Sequence, residues 1–243
     1  MKKTFLLGLA LILSTISYGQ FGKKIKGNGD RTTVQRSTAE YNVIAVSGWF
    51  DVNLVDGKEG QISLEGESNL LEHIKTEVKN GKLVIKVAKG VNLQPSSWKN
   101  NGGIYITVPV ESIDEVSLSG SGDIVGDKTI KTADFTTNLS GSGDISLTII
   151  ADNVTAGMSG SGDINLSGKT NNLEVHISGS GDIKAYDLEA NNVDASISGS
   201  ADIKVTANEM LKARVSGSGD IHYRGDPTKI DSKASGSGDV SKG

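Results

Sequence analysis

The chain has 243 residues, with 29 Asp and Glu against 25 Lys and Arg, three His, no Cys and only 5% aromatic residues. Without cysteine neither a disulfide framework nor a lipidated-cysteine anchor is available, so an exported form of this chain must rely on its core for stability. Charge is divided unevenly, net +3 over residues 20–110 and net −9 over residues 111–243; that acidic half lacks the basic footprint nucleic acid requires.

The start, MKKTFLLGLALILSTISYGQ, places Lys2 and Lys3 before an apolar run from Phe5 to Leu13, with Ser17 and Gly19 at the positions a signal peptidase reads. This predicts a secretory signal over 1–19. The run is too short to span a bilayer, so the expectation is an exported chain, in the periplasm, on the outer-membrane surface or outside the cell, that is not transmembrane once the signal is removed. Residues 20–40 are polar, with Lys23, Lys24 and Lys26 near the new terminus, and predict a flexible lead-in. From Tyr41, Ile44, Val46, Val52 and Leu54 alternate with polar neighbours around SGWFDV at 47–52. Ile62 and Leu64 mark a further strand, and Asn69–His73 predict one helical turn. Asn80-Gly81 predicts a tight hairpin between two alternating runs, Ile74–Val78 and Leu83–Val87. Residues 88–103 form the longest loop, with Pro95 and Trp98, before a strand at Ile104, Ile106 and Val108.

From Ile113 the chain repeats. SGSGDI occurs at 119–124, 140–145, 159–164 and 178–183, then as SGSADI at 198–203, SGSGDI at 216–221 and SGSGDV at 235–240, with aspartates spaced by 21, 19, 19, 20, 18 and 19 residues. A period near twenty predicts a solenoid. One residue after each aspartate lies Ile124, Ile145, Ile164, Ile183, Ile203, Ile221 or Val240; five before lies Leu118, Leu139, Met158, Ile177, Ile197, Val215 or Ala234. The apolar positions alternate with polar ones, the period of a strand with one buried face. Each repeat is therefore two short strands joined by a Ser-Gly-Ser-Gly corner, where positive φ suits glycine. Stacked coils give an all-β parallel β-helix, or solenoid, with irregular N-terminal coils over 41–112 and regular SGSGDI coils over 113–243, forming one domain from 41 to 243. SGWFDV is a degenerate copy of the corner, as expected of an atypical terminal coil. The sequence runs only from the last motif to Gly243, so the final coil is expected to be uncovered, and an open edge predicts homo-oligomers through coil ends or edges.

YNVIAVSGWFDVNLVDG, ESNLLEHIKTEVKNGKLVIKV, IYITVP and the serial SGSGDI motifs together resemble the "putative auto-transporter adhesin, head GIN domain" family of exported Bacteroidetes proteins, a domain of unknown function. The resemblance covers about 41 to 240. It implies a right-handed parallel β-helix and a cell-envelope location, and brings no catalytic residues.

The acidic file Asp123, Asp144, Asp163, Asp182, Asp202, Asp220 and Asp239 is the main candidate site. Unit charges stacked about 5 Å apart repel by about 0.9 kcal/mol in water and about 3.5 kcal/mol at an effective dielectric of about 20, so something must offset them. One reading has each Asp accept backbone N–H groups of its own glycine corner, as in an Asx turn. The alternative is a calcium ladder, for which one carboxylate per coil is a thin supply of oxygens. The corner serines (Ser121, Ser142, Ser161, Ser180, Ser200, Ser218, Ser237) are small turn residues or, alternatively, a polar surface for a glycan or protein. Trp49 and Trp98 are candidates for a partner-contacting, carbohydrate-binding aromatic patch, the alternative for Trp49 being a cap over the core end. His73, His176 and His222 are too scattered to predict a metal site, and no histidine recurs beside the serines to activate a nucleophile. No cofactor is expected unless calcium is one. The expected function is a non-enzymatic envelope adhesion or structural module binding an unidentified protein or glycan surface. Polysaccharide binding or processing and a calcium-stabilised repeat are the alternatives.

Overall fold

Apolar and polar residues alternate on both sides of each corner, so every coil buries one face of its strands and cannot do so alone. The structure is a computed structural model that describes residues 22–97 and 102–243. The expected signal segment and Trp98 lie outside these residues. The strands stack as a parallel β-solenoid of about 7 turns.

In the irregular half, β1 (Lys23–Lys26), β2 (Arg31–Ser37), β3 (Val43–Gly48), β4 (Asp51–Asp56) and β5 (Gln61–Glu67) lead to a single helical turn, α1 (Ser68–Leu71). Then come β6 (Ile74–Lys79), β7 (Lys82–Val87), β8 (Val91–Gln94) and β9 (Tyr105–Val110). The regular half opens with β10 (Glu115–Gly120) and continues through β11 (Ile124–Gly141), β12 (Ile145–Met158), β13 (Ile164–Gly179), β14 (Ile183–Gly199) and β15 (Ile203–Gly217). It closes with β16 (Ile221–Arg224), β17 (Lys229–Gly236) and β18 (Val240–Lys242).

The columns expected from the repeat are present. Ile145 pairs with Ile164 and Ile164 with Ile183. That column runs on through Ile203, Ile221 and Val240 in one direction and through Ile124, Val52 and Ile106 in the other. A second column passes from Val46 through Leu118, Leu139, Met158, Ile177, Ile197 and Val215. All of these but Val240 are buried. Each such side chain contributes roughly 1.5–3 kcal/mol relative to exposure, which the ordering entropy of the strands largely offsets. The degenerate corner belongs to the same stack: Ser47 and Gly48 pair with Ser119 and Gly120, and Val52 with Ile124. Phe50, standing where the later coils have glycine, is wholly buried.

Antiparallel pairing ends the parallel stack at the N-terminal side. β6 and β7 form a hairpin in which Lys79 faces Lys82. Asn80 (φ 52°) and Gly81 (φ 74°) supply the two positive-φ residues of a tight hairpin turn. β5 pairs antiparallel with both β9 and β2. The flexible lead-in expected over 20–40 is corrected for its described part, residues 22–40, because β1 pairs with β8 and β2 with β5. Polar side chains do the anchoring that the apolar pattern could not reveal. The Arg36 guanidinium donates to the carbonyls of Ile74 (2.6 Å) and Leu71 (2.7 Å). Glu67, only 1% exposed, accepts the backbone N–H groups of Gly29 and Ser96.

The corner glycines are required for close approach as much as for φ. A Cβ on Gly162 would lie 1.8 Å from the Gly143 carbonyl oxygen. One on Gly141 (φ +149°) would lie 2.0 Å from the Gly120 oxygen. Ala201 replaces the second glycine in one coil. There the Ser200 N–H reaches the Gly179 carbonyl at 3.1 Å, against 2.8 Å at Ser142 and Ser161.

Candidate binding surface

Each coil turns its acidic corner outward, and the carboxylates are tied between coils. The Asp51 Oδ1 accepts the Asp123 N–H, Asp123 accepts that of Asp144, Asp144 that of Asp163 (2.8 Å), and the pattern continues through Asp182, Asp202 and Asp220 to the Asp239 N–H (2.8 Å). This differs from the local Asx turn expected from sequence, in that the donor belongs to the next coil. The aspartate carbonyls run the other way, the Asp144, Asp163 and Asp182 oxygens accepting the N–H groups of Ile124, Ile145 and Ile164. The corner serines are exposed, and their N–H groups donate to glycine carbonyls of the preceding coil.

The file is unevenly compensated. Lys184 Nζ meets Asp163 Oδ2 at 2.6 Å. That hydrogen bond holds the ammonium above the usual lysine range against its partial burial, with the charges of Asp163, Asp182 and Asp144 adding to it. At the other end, burial first and the charge of Asp123 after it push the Asp51 carboxyl up, although the Asp123 N–H opposes them. Among the described residues, no group of three or more His, Cys, Asp and Glu side chains is placed to hold a metal ion.

Two outward faces flank this corner. On the face before it, Ala45, Ser117, Asn138, Gly157 and His176 follow one another in register, and Ser47, Ser119 and Ser140 form a parallel file. Small side chains leave a shallow trough of about 470 Å³ there, walled mostly by carbon. The face after the corner is polar. Asn53, Val125 and Ser146 lead in register to Asn165, Lys184, Lys204 and His222. A groove of about 520 Å³ crosses it, lined by Ser146, Thr148, Asn165, Lys184, Tyr186, Asp187 and Lys204 among others.

The remaining candidates do not converge. Trp49 is half-buried against the core, its ring 6.3 Å from Phe50 and tilted by 48°. His176 pairs with Ser196 and His222 with Ser241, on opposite sides of the corner. At the other turn of the coil the structure shows two files that sequence reasoning missed. Asn192 donates to Asn172, Asn172 to Asn153 and Asn153 to Asp134; beside them Asn191 donates to Asn171 and Asn171 to Asp152. Their recurrence near residues 152, 171 and 191 was the signal available.

A sequence profile described as "Putative auto-transporter adhesin, head GIN domain" matches residues 40–227. The chain belongs to this family. Among solved structures, the head GIN chain is similar to a "putative adhesin" from Bacteroides fragilis NCTC 9343, with TM-score 0.82 and 24% identity over 90% of this chain and 99% of the other. It is also similar to a "putative lipid binding protein" from Parabacteroides distasonis ATCC 8503, with TM-score 0.74 and 28% identity over 91% and 100%. A "putative adhesin" from Parabacteroides merdae ATCC 43184 has TM-score 0.67 and 20% identity over 91% and 99%. At 20–24% identity the likeness to the two adhesins is one of fold. No protein of curated function matches the chain.

Proposed function

We propose that this head GIN protein is an exported, non-enzymatic adhesion module that holds a partner along the outward faces beside its acidic corner. The observation that carries the reading is register. Polar side chains recur in straight files at the strand spacing of about 4.8 Å, from Asn53 to His222 on the polar face alone. Such a face offers many weak contacts in a row, and a polymeric or surface-bound partner gains from engaging several at once. Family membership and two neighbours described as adhesins support it. The fold alone supplies no chemistry, so the non-enzymatic part rests on the repeat running through the candidate residues without a grafted catalytic cluster.

The test is retention of beads coated with residues 20–243 on immobilised glycans, matrix proteins and whole cells, alongside assays for sugar or peptide release. Retention without turnover is expected. Depolymerisation that disappears on changing one discrete set of residues, or no retention on any surface, would remove the reading. The trough beside Ser117 and Gly157, together with the neighbour described as lipid binding, favours a second reading as a lipid-contacting face. Binding of phosphatidylcholine vesicles to the same beads would select it.

A further inference from the structure

The stack loses its regular register between Val125 and Thr129, and again around β14, on both sides of that strand. β13 and β14 change register between Asn165 and Ser167, so that Ser167 faces Asp187 and β14 carries an extra residue. β14 and β15 change register again between Ala185 and Glu189. A bulge of this kind bends the strand and re-aims a side chain. Here the region between the shifts holds Tyr186 and Asp187. The Tyr186 carbonyl accepts Thr206 Oγ1 at 2.7 Å, and the Arg224 guanidinium stacks 3.9 Å from the ring centroid. The Tyr186 backbone is thus tied to the next coil and one face of its ring to the coil after, at the edge of the groove.

The lining narrows what the groove takes. Hydroxyl, amide, ammonium and carboxylate groups share it with the carbon surfaces of Val125, Leu147 and Leu166, a mixture that suits a ligand with both hydroxyl edges and C–H faces. An acyl chain would leave the polar groups unpaired at a cost of about 1–3 kcal/mol each. A polyanion meets Asp187 and the carboxylates of the corner file, and Lys184, the nearest cation to that file, is already committed to Asp163. Lys204 makes no ion pair among the described residues. What remains is a neutral ligand rich in hydroxyl groups. The groove crosses the strands, advancing about 4.8 Å per coil, which is close to the length of one pyranose unit.

We infer that this groove is a subsite for a neutral linear polysaccharide, with sugar rings packed along Tyr186 and their hydroxyls taken by Asp187, Asn165 and Lys204. The inference rests on the adhesion reading and names its partner class.

Affinity electrophoresis and titration calorimetry of the full mature chain test it, with dextran, mannan and soluble β-glucan as neutral probes and polygalacturonate and phosphatidylcholine vesicles as contrasts. At least one neutral polymer is expected to bind. Tyr186→Ala and Asp187→Ala should each weaken it by about tenfold or more while circular dichroism and Tm stay unchanged. Ser146→Arg, which fills the groove from another coil, should do the same without touching the bulge. Failure of every neutral polymer, binding of polygalacturonate or vesicles in their place, or wild-type affinity in all three variants would overturn the inference. If beads still adhere to cells when the polymers fail, the adhesion reading survives alone; if bead retention is also absent, both fall.

Discussion

Removing one rung of the acidic file with Asp144→Ala sets two effects against each other. The Asp144 carboxylate accepts the Asp163 N–H at 2.8 Å. A hydrogen bond to a charged acceptor contributes about 1.5–3 kcal/mol, and the lower figure applies at this exposed site. The same carboxylate stands one coil from Asp123 and one from Asp163. At about 4.8 Å Asp123 costs about 0.9 kcal/mol in water, whereas the charge of Asp163 is offset by its Lys184 partner. At low ionic strength the variant should therefore cost only about 0.6 kcal/mol relative to the wild type. In about 1 M NaCl the Debye length falls to about 3 Å. Repulsion between rungs is then screened, the contact hydrogen bond is not, and the cost of Asp144→Ala should rise to about 1.5 kcal/mol. Asp144→Asn keeps an acceptor and removes the charge, so at low salt it should lose no stability. Urea unfolding at low and high salt measures all three proteins. An Asp144→Ala cost that is equal in both salts, or larger at low salt, would refute the reasoning and point to a bound cation neutralising the file. The calcium alternative has its own check, since a bound ion must raise stability. An unchanged Tm when millimolar calcium follows chelation removes it.

Three further outcomes follow from particular contacts. Thr137 is wholly buried between Val116 and Ala156 in its column, and its hydroxyl has no protein partner. Thr137→Val should stabilise by about 1 kcal/mol in urea unfolding, and destabilisation would show that the hydroxyl is satisfied. Gly162→Ala should cost about 1–3 kcal/mol through its clash with the Gly143 carbonyl. Gly141→Ala should cost more because its φ is also lost, and equal costs would mean that close approach alone selects glycine. Burial pushes the Glu67 carboxyl up, but the N–H groups of Ser96 and Gly29, with the Ser96 side chain and the charge of Arg31, together outweigh burial and hold it below the usual glutamate range. A depressed folded pKa stabilises above the unfolded value of about 4.3 and is lost as pH falls through the folded value. Glu67→Gln should lower stability at neutral pH and flatten that acid limb of a stability–pH profile. An unchanged limb would show that other carboxylates set it.

The solenoid, its inward columns and the membership of SGWFDV in the same stack are legible in the order of residues alone, whereas the layer of β7 and β9 outside it is not. Period-two alternation locked to a glycine landmark leaves one way to share a buried face, and Ile145, Ile164 and Ile183 stand in file as that requires. The sequence also placed the Asn80-Gly81 hairpin, because few residue pairs accept two successive positive φ values. Only the tertiary structure decided where the carboxylates bond. The Asp163 N–H and the Asp144 Oδ1 are 19 residues apart and meet only once two coils are stacked. The asparagine files and the Tyr186–Arg224 stack have the same origin, since partners one or two coils away carry no local signature. The order of residues 22–40 was hidden for a related reason. Their strands are held by backbone pairing and by Arg36 and Glu67, polar groups whose partners lie 35 or more residues away for Arg36 and 29 or more for Glu67. Alternation reports burial of carbon, and that segment buries little of it.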